Sequence, residues 1–118
     1  MRVLVVAVSI VGSMLAVSAT AWGHSWNFES CQFAGTNWMS GGNGNSSTTE
    51  LNPDECDYLW TRLQFRTEGY WFWSSAAYSY ENLGQVVRTV YLVQTIGDSQ
   101  HRAQDNSSKN YSSTYTHP

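Results

Sequence analysis

The side chains with most to offer a ligand stand in DYLWTRLQFRT, residues 57 to 67. Read with a period of two, Tyr58, Trp60, Arg62, Gln64 and Arg66 share one side, while Leu59, Thr61, Leu63 and Phe65 share the other. Flat aromatic rings stack on sugar rings and on peptide side chains, and guanidinium and amide groups add directed hydrogen bonds. GYWFW, residues 69 to 73, follows at once. Thr67-Glu68-Gly69 predicts a three-residue hairpin with glycine in the left-handed position. That register sends Trp71 and Trp73 into the core with Leu63 and Phe65, and sets Tyr70 and Phe72 beside Trp60, Arg62 and Arg66. A two-residue Glu68-Gly69 loop would exchange the two sets, with Glu68 forced to positive φ. The expected ligand face is therefore Tyr58, Trp60, Arg62, Arg66, Tyr70 and Phe72. The same pattern also fits the second packed face of a sandwich strand, or a self-contained cation–π ladder.

Three histidines, His24, His101 and His117, are candidate metal ligands. If a leader is cut after Gly23, His24 becomes the N-terminus. Its α-amino and ring nitrogens could then chelate one copper ion, with a second histidine completing the set. In this feature the chain resembles the histidine-brace copper proteins, such as the lytic polysaccharide monooxygenases, which are β-sandwiches too. The resemblance covers His24 and its place after a leader, and implies a copper cofactor there. Asp54, Glu55 and Asp57 flank Cys56 and offer carboxylate oxygens to calcium, without EF-hand spacing.

Catalytic patterns are absent. Ser, His and Asp occur without a G-x-S-x-G. Glu68 and Glu81, read as a glycosidase pair, fail because Glu68 belongs to a hairpin tip rather than to a concave site.

The elements that must carry these residues read as strands. Alternation from His24 to Phe33 predicts a strand ending near Cys31. SGGNGNSSTTE, residues 40 to 50, predicts an exposed, mobile loop, since nothing in it buries apolar surface. Residues 74 to 81 read as a strand or irregular edge. QVVRTVYLVQTIG, residues 85 to 97, predicts one long central strand. From 98 the chain turns polar: 98 to 110 reads as loop, and Tyr111 to Tyr115 as an edge strand. Asn45, Asn106 and Asn110 each begin an N-glycosylation pattern within these polar stretches.

MRVLVVAVSIVGSMLAVSATAWG predicts a secretory signal peptide over residues 1–23: Arg2, an uncharged apolar run, then Ala19-Thr20-Ala21 and Ala21-Trp22-Gly23 as alternative cleavage patterns. The apolar run falls short of a membrane span. Residues 24–118 then form a single small domain. Cys31 and Cys56 predict one disulfide in an oxidising compartment. The formal charge of the 118 residues is −3, charged residues are 13%, and Arg62, Arg66, Arg88, Arg102 and Lys109 form no run. Nucleic acid is therefore not the expected partner, and stable membrane insertion is not expected. The sequence predicts an all-β fold, a small antiparallel β-sandwich or open barrel of about five to seven strands with one disulfide. The expected role is extracellular, non-enzymatic binding of a glycan, peptide or protein, including inhibitor- or toxin-like action. A copper protein using His24 and a structural or adhesive protein are the alternatives.

Overall fold

The computed structural model describes residues 21–80 and 84–117. The expected leader lies outside them, apart from Ala21 to Gly23. Nine strands are described: β1 (Ala21–Phe28), β2 (Cys31–Ser40), β3 (Asn43–Glu50), β4 (Cys56–Thr67), β5 (Tyr70–Trp73), β6 (Ala77–Ser79), β7 (Gln85–Val90), β8 (Thr95–Asp105) and β9 (Tyr111–Thr116). They form two antiparallel sheets. One runs β1-β2-β3-β7; the other runs β5-β4-β8-β9, with β6 also pairing β4. The all-β sandwich is as expected, with more strands than the five to seven predicted.

The extra strands come from polar segments. Residues 24 to 33 are not one strand: the chain reverses at Glu29-Ser30, and Phe28 pairs with Cys31. The stretch from 40 to 50 is not a loop. Gly41 and Gly42, both at positive φ, make a tight turn, and β3 then runs down the sheet between β2 and β7. Gly44 to Thr48 are buried. Residues 85 to 97 are two strands, broken at 91–94, and β7 lies on an edge rather than in the centre. The segment from 98 to 110, expected as loop, is strand as far as Asp105.

What lets these polar strands go inside is a hydroxyl layer across the waist of the sandwich. Leu59, Thr61 and Leu63 point inward in succession from β4. Leu59 joins Cys31, Phe33, Cys56, Val86 and Ala103 in one apolar cluster. Leu63 joins Val93 and Ile96 in another, against Met39, Phe65 and Val90. Thr61 lies between them and is fully buried. It shares a 2.8 Å hydrogen bond with Ser46 of β3. Thr48 of β3 donates to the Trp60 carbonyl at 2.9 Å. A buried hydroxyl is tolerable when it is bonded, so short polar side chains can fill a core that apolarity-based reading assigns to solvent.

The Cys31–Cys56 disulfide is present. It ties β2 to β4, and thus one sheet to the other. Both cysteines belong to the first apolar cluster.

Candidate functional site

The outer face of the β5-β4-β8-β9 sheet collects most of the exposed aromatic surface. Its frame is the alternation of β4, which turns Tyr58, Trp60, Arg62, Gln64 and Arg66 outward, as expected. Strand β8 supplies Gln100, Arg102 and Gln104, opposite Arg62, Trp60 and Tyr58 respectively. Strand β9 supplies Tyr111, Ser113 and Tyr115, opposite those same three residues of β8.

The β4–β5 hairpin corrects the expected membership of this face. The loop is the two-residue Glu68-Gly69, with φ of 50° and 83°. Thr67 pairs with Tyr70, Arg66 with Trp71, Phe65 with Phe72 and Gln64 with Trp73. Two positive φ values give a turn whose twist matches the strands it joins, and this outweighs the strain at Glu68, on the order of 1–2 kcal/mol. Trp71 and Trp73 are therefore on the outer face, not in the core. Tyr70 and Phe72 leave the predicted ligand face and follow Phe65, whose ring stacks on Phe72 at 5.7 Å. Of the six expected residues, the structure brings together Tyr58, Trp60, Arg62 and Arg66.

Within the face the arginines lie on indoles. Arg62 is 4.3 Å from the Trp73 ring centre and 5.7 Å from that of Trp60, and Arg102 is 4.3 Å from Trp60. Arg62 Nε donates to Gln100 Oε1 at 2.8 Å, and Gln100 Nε2 donates to Ser113 Oγ at 2.8 Å. Tyr115 meets Trp73 edge-on at 6.5 Å. At the other end Tyr58 lies 4.7 Å from Tyr80, 5.8 Å from Tyr111 and 6.4 Å from Tyr78. Burial and then the neighbouring Tyr80 phenol raise the Tyr58 pKa, against the pull of Arg102.

Sequence reasoning missed Trp71, Trp73, Arg102 and the β9 tyrosines. Glu68-Gly69 was a legible signal for the hairpin. Arg102 was hidden because its inward neighbours, Ser99, His101 and Ala103, alternate without being strongly apolar.

The histidines separate. His101 is fully buried on β8. Its Nε2 meets the hydroxyls of Ser99 and Thr116, each at 2.8 Å, and its Nδ1 meets Thr48 Oγ1 at 3.0 Å. The Thr48 proton goes to the Trp60 carbonyl, so Nδ1 carries the ring proton and Nε2 accepts both hydroxyls. Burial drives the His101 pKa down to about 3, and a backbone bond at Ser47 opposes this in part. With both nitrogens engaged inside the core, His101 is no free metal ligand. His24 is exposed on β1, its ring edge-on to Trp26 at 5.0 Å. His117 is exposed and bonds to Asp98 at 2.9 Å. His24 and His117 line one shallow cleft of about 400 Å³ with Trp26, Tyr115 and Thr116.

The acidic cluster disperses as well. Asp57 pairs with Lys109, and Glu55 accepts from Asn52. Among the described residues no three His, Cys, Asp or Glu side chains gather as a metal site requires. Asp105 instead ties the turns together. It accepts from the backbone of Ser107, Ser108 and Ser30 and from the Ser30 hydroxyl. The Ser108 N–H first, then the Ser30 hydroxyl, hold its carboxyl well below the usual carboxylate range. Asn45, expected in a loop, is buried in β3 and accepts from Thr89 at 2.7 Å, whereas Asn106 and Asn110 are exposed. No described helix is long and apolar enough to cross a membrane. Comparison with known proteins gave no match to a family model, to a curated protein or to a solved structure.

Proposed function

We propose that the chain is a small secreted protein that acts by binding, and that its contact surface is the outer face of the β5-β4-β8-β9 sheet. The observation that carries this reading is a continuous run of exposed rings around arginines held against indoles. Trp71 is 48% exposed, Trp73 38%, Tyr115 46% and Tyr111 59%. Large contiguous aromatic surface is costly to leave in water and marks interaction sites. The inter-sheet disulfide supports an oxidising, extracellular setting.

The test is capture from a panel of glycans and extracellular proteins. Trp60→Ala combined with Arg62→Ala should lower affinity for the captured partner at least about tenfold, as expected for loss of a central aromatic–arginine anchor. Trp71→Ser, at an exposed edge position, repeats the test where the double variant fails to fold. Undiminished capture by folded variants would refute the reading.

A further inference from the structure

We infer that the ligand of this face is an acidic polysaccharide, a chain of sugar rings bearing carboxylates; the inference rests on the binding reading above. Charge placement is the first argument. The protein carries nine carboxylate side chains and a net charge of −3. Yet no acidic residue stands at the outward positions from Tyr58 to Arg66, from Gln100 to Gln104, on β5 or on β9. Arg62, Arg66 and Arg102 all stand there. Of the remaining basic residues in the described chain, Arg88 donates to the Ala76 carbonyl and Lys109 pairs with Asp57. Arg88 too has no described carboxylate partner, but it is half-buried on β7 of the other sheet and tied to that carbonyl, so the remaining arginines of this acidic protein gather on one face.

The state of those cations is the second argument. Ion pairs join Lys109 to Asp57 and His117 to Asp98, and among the described residues no carboxylate is seen to pair with any of the three guanidiniums. Arg62 and Arg102 are nevertheless held in place, by stacking on Trp73 and Trp60 and by the bond from Arg62 to Gln100. A guanidinium fixed in this way loses little further freedom when its planar fork meets a carboxylate.

The surroundings select the kind of anion. Exposed rings offer stacking surface, while Ser113, Gln64, Gln104 and the tyrosine hydroxyls offer hydrogen bonds to a hydroxylated ligand. Positive charge is sparse by comparison: Arg62 and Arg66, four residues apart on one strand, have Cα atoms about 13 Å apart. Nucleic acid is held mainly by many phosphate contacts, more than three spaced guanidiniums supply. A uronate ring bears hydroxyls beside its carboxylate, so the amides and hydroxyls of this face find partners as well as the guanidiniums.

Affinity electrophoresis tests the inference. Native gels would contain polygalacturonate, alginate or hyaluronan, each as free acid and as its methyl ester, which keeps the rings and removes the charge; oligo-dT is run as a mobility-shift probe. The expected result is retardation by at least one free acid and not by its ester. That retardation should fall at least tenfold in Arg62→Gln/Arg102→Gln, and also in Arg66→Gln, whose exposed site is safe for folding. Equal retardation by acid and ester would overturn the acidic ligand and leave the binding face standing. A shift of oligo-dT alone would overturn it in favour of nucleic acid. No retardation by any of the polymers would overturn it too, with the capture panel deciding separately whether the face binds at all.

Discussion

Acid should destabilise this fold well before its carboxylates are titrated, because His101 must stay neutral to remain in the core. Its pKa is about 3 in the folded protein, against 6.5 when solvated. A proton is therefore bound more tightly by the unfolded chain, and stability is lost as pH falls from 6.5 towards 3. Each pH unit in that window costs about 1.4 kcal/mol, so going from pH 7 to pH 4.5 should cost roughly 2.5–3 kcal/mol. The structural reason is burial: the ring is fully enclosed and its side-chain hydrogen-bond partners are the Thr48, Ser99 and Thr116 hydroxyls, none of which carries a charge to offset a proton on it. Asp105 does not confuse this window. Its folded pKa is depressed from 3.8, so its contribution is fully present above that value and is lost only at lower pH. The assay is urea unfolding by tryptophan fluorescence at half-unit steps from pH 7 to 4.5. His101→Gln should lower stability at pH 7 by about 1–3 kcal/mol, by leaving buried hydroxyls short of a partner, and should flatten the profile. A wild-type profile flat across this window, or an unchanged slope in His101→Gln, would refute the argument.

Two further expectations concern the same core. A Cβ on Gly35 would lie 2.5 Å from the His101 ring, so Gly35→Ala should cost roughly 1–3 kcal/mol by overpacking. Gly97→Ala meets only the movable end of Gln64 and the edge of Trp71, and should cost less than half as much; equal losses by urea titration would show that the waist is not tightly packed. Replacing both Cys31 and Cys56 with serine should remove roughly 3 kcal/mol, the loop-closure value for a 25-residue separation. A loss under about 1 kcal/mol would mean that the sheets hold together without that tie.

The outward residues of β4 were legible because Leu59, Leu63 and Phe65 alternate with Trp60, Arg62 and Arg66, and a period of two admits only one half-buried strand. Pairing of the only two cysteines needed no geometry beyond an oxidising compartment. The turn at Gly41-Gly42 was also written in residue types, but it was masked by the assumption that a run of Asn, Ser and Thr cannot enter a core.

That assumption is where local reading fails on physical grounds. Whether Ser46 or Thr48 can be buried depends on partners far along the chain, Thr61 and His101, and only the packed sheets bring those hydroxyls and nitrogens within bonding distance. The membership of the candidate face was decided in the same way. One residue of hairpin register moved Trp71 and Trp73 outward and Tyr70 and Phe72 away. Arg102 reached Trp60 only because β8 lies beside β4. The sequence by itself determined strand character, one disulfide and the arginine–aromatic alternation of a single strand. Tertiary pairing decided which rings surround it, because neighbours across a sheet are set by register and not by distance along the chain.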